Sequence, residues 1–160
     1  MSVKRHRVAG GVVVDRRLRI LVLRRDIERN GRLINEVRLP KGHLDKGESD
    51  EQAACREVCE ESGYCAVEIV DDLGEAVSEY VHNGVAYRRD ERYFLMRLLD
   101  ARRSDPRPTW HEEALFDPLW LELAEAEARM TYPSEREFVG RARALVEKDP
   151  HRVAPPSNSA

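Results

Sequence analysis

The chain lacks a long apolar stretch and any leader-like segment at its start. None of its 160 residues belongs to a run of the roughly 18 uncharged apolar residues that a membrane-spanning helix needs. The apolar run at 8–14 follows a basic start but ends at Asp15, which is too short for a signal peptide. We therefore expect no membrane association and a cytoplasmic location.

Cysteine is also scarce, with only Cys55, Cys59 and Cys65. The number is odd, no CxxC pair is present, and disulfides are disfavoured in a reducing compartment. No histidine or further cysteine stands at a spacing typical of zinc ligands. The sequence predicts three small buried side chains without a disulfide.

The chain also lacks a large excess of positive or negative residues. The chain has 27 Lys and Arg against 30 Asp and Glu, a formal net charge of −3, and the signs are mixed along the sequence. This balance does not indicate a basic surface that would bind a nucleic-acid duplex. A local cluster of cations would still suffice to bind a small anion. Apolar residues at 41% and charged residues at 36% are typical of a soluble globular protein.

Length and patterning predict one domain over residues 1–148 and a disordered tail over 149–160. The predicted strands are 8–14 and 19–24 as a hairpin, 36–39, 65–70, 74–81 and 85–99 as a hairpin turned at Asn83-Gly84, and 115–121. Residues 25–35 and 41–49 are predicted loops. Helices are expected at 50–62, closed by Gly63, at 122–129, and after Pro133, where Ser134 and Glu137 have capping-box spacing. A mixed sheet with packed helices, an α/β fold, follows.

The helix at 50–62 concentrates acidic residues near its C-terminal end. At 100° per residue, Glu57, Glu60 and Glu61 share one arc, with Ala53 among them and Cys55 and Cys59 on the opposite, core-facing side. Like charges at this spacing repel, and the helix macrodipole disfavours negative charge there. A solvated acidic face is the alternative, but Arg56 supplies only one compensating charge.

A divalent cation with oxygen ligands fits this deficit, and Mg²⁺ prefers a few carboxylates together with water and phosphate oxygens. Without metal the three acids should repel each other. Glu61→Gln should then leave the metal-free protein as stable as the parent, or slightly more stable.

The segment from Gly42 to Tyr64 matches a longer pattern, G-x5-E-x7-R-E-U-x-E-E-x-G-U, where U is a bulky aliphatic residue. The matching positions are Gly42, Glu48, Arg56, Glu57, Val58, Glu60, Glu61 and Gly63, and Tyr64 replaces the last aliphatic residue. This pattern is the Nudix box, and the chain resembles the Nudix hydrolases. The resemblance implies an α/β/α sandwich with a mixed sheet.

The resemblance also implies roles for the box residues. Glu57, Glu60 and Glu61 correspond to the metal-binding acids, and one of them or a downstream glutamate would act as general base. The carbonyl of Gly42 corresponds to a backbone metal ligand. Arg56 and Glu48 correspond to the pair that orients the catalytic carboxylates. Mg²⁺ or Mn²⁺ is the expected cofactor.

Outside the box, three residues are candidates for substrate binding. Lys41, in Pro-Lys-Gly-His, is similar to a phosphate-contacting lysine of the dinucleoside polyphosphate hydrolase branch, although a solvated loop lysine is the alternative. Tyr80, sixteen positions after Tyr64, resembles that branch too and could stack on a base or face the core. Glu113, with Glu112, stands where an additional catalytic or metal-binding glutamate is often found; a loop acid is the alternative.

The resemblance implies a metal-dependent hydrolase that cuts a phosphoanhydride bond in a nucleoside diphosphate-linked substrate, with a dinucleoside polyphosphate such as diadenosine tetraphosphate as the leading candidate. Nucleoside triphosphates, ADP-ribose or other nucleotide-sugars, and inositol pyrophosphates are alternatives. A nucleotide-binding regulator without catalysis is a further hypothesis, but such modules usually lack some box acids. A monomer or a homodimer is expected.

Overall fold

A computed structural model describes residues 2–104 and 116–155. Within these ranges the strands are β1 (Lys4–Val14), β2 (Arg19–Arg29), β3 (Arg32–Arg38), β4 (Lys41–His43), β5 (Val67–His82), β6 (Val85–Leu98) and β7 (Asp117–Glu122). The helices are α1 (Asp50–Ser62), α2 (Leu123–Arg129) and α3 (Pro133–Lys148), followed by a 3₁₀ turn at Pro150–Val153. No helix of the described ranges is long and apolar enough to cross a membrane.

The strands form one mixed sheet in the order β3-β2-β1-β6-β5, with β4 paired to β1 and β7 paired to β2. Strands β1 and β6 are parallel from Lys4↔Tyr87 to Val14↔Arg97, and the other pairs are antiparallel. Because side chains alternate across a strand, the sheet has an apolar layer on each face. Helix α1 covers one layer, and α2 and α3 cover the other. The predicted α/β/α sandwich with a mixed sheet is confirmed.

The predicted loop at 25–35 is wrong, because β2 and β3 form a hairpin there. Its turn is Asn30-Gly31, with φ of 52° and 75°, the left-handed pair that a type I′ turn requires. The hairpin tip is largely exposed on both faces, so its sequence lacks the alternation that marks a half-buried strand. The second Asn-Gly turn, at Asn83-Gly84, is as predicted.

Helix α1 has the predicted bounds because both of its ends are set locally. Ser49 Oγ accepts the Gln52 N–H and Gln52 Oε1 accepts the Ser49 N–H, which completes a capping box. Gly63, at φ 82°, closes the C-terminal end. The capping box predicted for Ser134 is wrong: α3 begins at Pro133, so that Ser134 lies inside the helix.

Two predictions about the cysteines and the tail need correction. Cys59 and Cys65 form a disulfide, because the left-handed turn at Gly63 brings their Cα atoms to 4.3 Å. Cys55 is free and half-buried, and Cys65 is exposed, so the three are not simply buried thiols. The tail is structured at Pro150–Val153, where the Val153 side chain enters the core. Residues 156–160 lie outside the described ranges.

Candidate active site

One cleft of about 1390 Å³ opens beside β4 and the C-terminal half of α1. A cleft of this size accommodates a nucleotide-sized ligand. Its predicted site residues are Lys41, Gly42, Arg56, Glu57, Glu61 and Tyr80, and its other charged or aromatic lining residues include Arg25, Arg29, Glu36, Arg38, Arg89, Glu91, Tyr132 and Glu135. Glu60 and Glu48 join the site through Arg56. Glu112 and Glu113 lie outside the described residues.

Helix α1 is rotated relative to the predicted orientation. Ala53 lies in the core with Ala54 and Val58, whereas Cys55 is only half-buried. The helix can approach the sheet closely because β1 carries Gly11, where an added Cβ would lie 3.1 Å from a methyl group of Val58. The helix face that carries Glu57, Glu60 and Glu61 therefore lies at the boundary between the core and the cleft. Glu57 and Glu61 are only 7% and 8% exposed.

Arg56 links four groups of the Nudix-like segment. Its Nε and Nη2 atoms donate to the two carboxylate oxygens of Glu48 at 2.8 and 2.9 Å. Nη1 donates to Glu57 at 2.8 Å and to Glu60 at 3.1 Å, and Nη2 also reaches the carbonyl of His43. The Arg56 hydrogen bonds hold the pKa of Glu48 below its ordinary value. The expected Arg56–Glu48 contact is thus present, and it connects the β4 loop with the helix.

Gly42 is matched to Glu57 by shape. A Cβ at position 42 would overlap the Glu57 carboxylate, so glycine lets that carboxylate lie directly against the backbone. The neighbouring Lys41 N–H donates to Glu61 Oε1 at 2.8 Å, and Arg38 Nη2 donates to Glu61 Oε2 at 3.0 Å. Residues from β3 and β4 thereby fix the carboxylate of Glu61, a residue of α1.

The donor set is suited to Mg²⁺ or Mn²⁺ in kind, since it consists of carboxylates and a backbone carbonyl. Within residues 2–104 and 116–155, however, no three acidic, histidine or cysteine side chains converge closely enough to hold an ion. Arg38 and Arg56 provide the positive charge beside the glutamates. The expected repulsion is therefore offset by an arginine from β3 that helix geometry alone does not indicate.

Lys41 lines the cleft but is held by two acids. Its Nζ lies 2.7 Å from Glu135 Oε2 and 3.6 Å from Glu91 Oε1, and its side chain is 11% exposed. The same Glu135 accepts the backbone N–H of Leu39 at 2.5 Å. The role of neither acid could be predicted from the sequence, because each contact joins residues 50 or more positions apart and Glu135 looks like an ordinary first-turn acid.

Tyr80 stands at the rim of the cleft and not in the core. It is 37% exposed, its ring stacks on Tyr87 with centroids 5.1 Å apart, and the Arg89 guanidinium lies over it at 5.3 Å. His6 extends the stack from Tyr87, with ring centroids 5.3 Å apart. An aromatic surface with a nearby cation is suited to a nucleobase.

A second part of the cleft wall is basic and aromatic. The Arg25 and Arg38 guanidiniums lie 4.4 and 4.3 Å from the centroid of the Phe116 ring. Glu36 is buried; burial opposes its ionisation, but hydrogen bonds from Tyr132 and Arg25 outweigh that effect and lower its pKa. Sequence reasoning missed this wall, because Arg25 lies in the segment predicted as a loop, and because the contacts that join Arg25, Arg38 and Glu36 to Phe116 and Tyr132 connect segments about 80 to 100 positions apart.

Comparison with known proteins identifies the family of the chain. The NUDIX domain profile matches residues 4–141. The chain is 32% identical over 145 residues to "Putative mutator protein MutT4" of Mycobacterium tuberculosis; the match covers 88% of this chain and 55% of that protein. This chain thus spans about half the length of that relative.

Three solved structures share the fold. A NUDIX hydrolase from Nitrosomonas europaea has a TM-score of 0.62 and 22% identity, with 89% of this chain and 90% of that chain covered. A C. elegans Ap4A hydrolase has a TM-score of 0.61 and 21% identity, with 89% and 98% covered. The E. coli dihydroneopterin triphosphate pyrophosphohydrolase has a TM-score of 0.64 and 21% identity, with 91% and 99% covered. Because the profile match spans most of the sequence and includes the whole Gly42–Tyr64 segment, the chain belongs to the Nudix family.

Proposed function

We propose that the protein is a metal-dependent pyrophosphohydrolase that cuts a phosphoanhydride bond of a nucleotide. The observation that carries this proposal is the Glu57 carboxylate, which lies against Gly42 and is fixed by Arg56 beside a cleft of nucleotide size. Every acid of the box is present, which favours an enzyme over a regulator that only binds nucleotides.

The chain's own groups divide the chemistry among them. Glu57, Glu60, Glu61 and the Gly42 carbonyl would hold Mg²⁺ or Mn²⁺, which supplies charge neutralisation at the phosphates and a more acidic water. One glutamate of this group accepts the proton of the attacking water. Arg56 and Glu48 keep the helix carboxylates in place.

The leading substrate is a dinucleoside polyphosphate such as diadenosine tetraphosphate. Tyr80 and its ring neighbours would stack on one base, and Lys41 and the basic wall would contact phosphates. The name of the C. elegans relative points the same way. Nucleoside triphosphates, ADP-ribose and other nucleotide-sugars, and inositol pyrophosphates are the alternatives.

A substrate panel tests both levels of the proposal. Turnover should vanish in chelator and return with Mg²⁺ or Mn²⁺, and diadenosine polyphosphates should show a higher kcat/KM than ADP-ribose. Full activity in chelator would overturn the mechanism, whereas a preference for ADP-ribose would overturn only the substrate.

A variant of Tyr80 tests the base site. Tyr80→Ala should raise KM more than it lowers kcat, because stacking on a base remote from the reaction is mostly uniform binding. Val81→Ala is the matched control, since Val81 is 72% exposed on the same strand and does not line the cleft. Unchanged kinetics of Tyr80→Ala would refute the assigned base site.

A further inference from the structure

Two arginines of β2 contribute to the cleft that also contains the α1 glutamates Glu57 and Glu61. Arg25 and Arg29 are four residues apart on one strand, and side chains at even spacing project from the same face. Both line the cleft. Neither belongs to the Nudix-like segment.

A buried carboxylate holds the pair in place. The Glu36 side chain is 1% exposed and accepts from Arg25 Nε at 2.8 Å, and its second oxygen accepts from the hydroxyl of Tyr132. Arg29 Nη2 lies 3.6 Å from the same carboxylate and donates to the Tyr132 hydroxyl at 3.0 Å. Burying a carboxylate is unfavourable unless donors surround it, and here the donors are groups of the cleft wall.

The cluster of Arg25, Arg29 and Glu36 has N–H donors that Glu36 does not use. Arg25 uses only Nε for Glu36, and among the described residues neither of its Nη atoms has an acceptor. The Phe116 ring supports the guanidinium at 4.4 Å and so limits its rotation. One carboxylate between two guanidiniums also leaves an excess of one positive charge.

We infer that Arg25 and Arg29, held by Glu36, form a second phosphate-binding subsite in the same cleft, separate from the glutamates of α1. Arginine in a fixed orientation donates two parallel hydrogen bonds to a phosphate, which lysine cannot do. The subsite would bind phosphates that lie beyond the bond being cut. The preferred substrates would then carry three or more phosphates in a chain, in contrast to the two of ADP-ribose, and in this respect the inference rests on the proposed function.

Binding of inorganic tripolyphosphate, measured by calorimetry in chelator, tests the subsite without turnover. Arg25→Met should weaken binding by about tenfold or more, the usual effect of losing charge-assisted hydrogen bonds. Arg29→Met should also weaken binding. The Arg29 side chain is 53% exposed, so this substitution is the one that least endangers folding. Arg24→Met is the matched control on the same strand, because Arg24 pairs with Asp26 and Asp117 and does not line the cleft.

Kinetics of the same variants test the substrate class. Arg25→Met should lower kcat/KM for diadenosine tetraphosphate by about tenfold or more and should lower kcat/KM for ADP-ribose by a smaller factor. An equal loss for both substrates would overturn the assignment to distal phosphates. Tripolyphosphate binding that is indifferent to both arginine variants would overturn the subsite itself.

The binding and kinetic experiments also separate this inference from the proposed function. If no nucleotide is hydrolysed, the proposed function fails. The subsite would still stand if Arg25→Met and Arg29→Met weaken tripolyphosphate binding while Arg24→Met does not.

Discussion

Replacing Glu61 by glutamine should destabilise the metal-free protein. Helix geometry alone predicts the opposite, because it counts only repulsion among the three acids. In the structure the Glu61 carboxylate is 6% exposed and accepts one hydrogen bond from Arg38, itself 16% exposed, and one from the Lys41 N–H. Glutamine keeps the size of the side chain but replaces one acceptor by a donor, which must face either Arg38 or that N–H.

The expected loss follows from these two contacts. A hydrogen bond to a charged group contributes about 1.5–3 kcal/mol, and removing one partner of a buried ion pair costs about 3–5 kcal/mol. Because glutamine retains one acceptor, we expect a loss of about 2–3 kcal/mol in the free energy of unfolding. For a domain of this size that corresponds to a fall in Tm of roughly 4–12 °C.

Urea unfolding in chelator measures this difference, and Glu60→Gln is the matched control. Glu60 is 31% exposed and its carboxylate is bonded to Arg56 at 3.1 Å, so its replacement should change stability by no more than about 0.5 kcal/mol. With Mg²⁺ the parent should gain stability and Glu61→Gln should gain less, while turnover of Glu61→Gln falls about 10²-fold or more. A neutral or stabilising effect of Glu61→Gln in chelator would refute the reasoning.

Three further predictions concern groups around the site. The Arg7 guanidinium lowers the pKa of Asp50, so ionised Asp50 stabilises the fold above its unfolded pKa of about 3.9 and this contribution is lost as the pH falls through the folded pKa. Asp50→Asn should therefore be destabilising by about 1–2 kcal/mol at pH 7, and in urea titrations this deficit should shrink as the pH falls below about 3.9. In denaturant without reductant the protein should show one reactive thiol, and three after reduction of Cys59–Cys65; three thiols in both samples would contradict the disulfide. Glu135→Gln should lower stability by about 1–3 kcal/mol, because its fully buried carboxylate holds Lys41, and an unchanged melting curve would show that this pair contributes nothing.

The sequence predicts most accurately what is determined by near neighbours. The ends of α1 depend on Ser49, Gln52 and Gly63, which lie within or beside the helix, and both bounds are as predicted. The Arg56–Glu48 contact spans eight residues and was likewise expected. The spacing of the Nudix-like segment therefore contains most of the information about its own geometry.

Contacts between distant segments could not be predicted in the same way. Arg38 reaches Glu61 across 23 positions, and Glu135 reaches Lys41 across 94. Such pairs depend on the sheet topology, which periodicity does not determine. The disulfide could not be predicted for another reason: the spacing of the cysteines gives no pairing signal, and Cys59 and Cys65 meet only through the left-handed turn at Gly63.

The parallel pairing of β1 with β6 has a consequence for how the protein folds. The central strand, β1, forms its longest pairing with β6, whose residues lie 83 positions later in the chain, as in Lys4↔Tyr87. By contrast, β5 and β6 meet through a two-residue turn and can associate early. During synthesis one edge of β1 therefore stays unpaired until the β5–β6 hairpin has left the ribosome. Because the loop between β1 and β6 is so long, closing it makes this pairing the slow step. Until then, the exposed edge of β1 is where the chain is most vulnerable to aggregation.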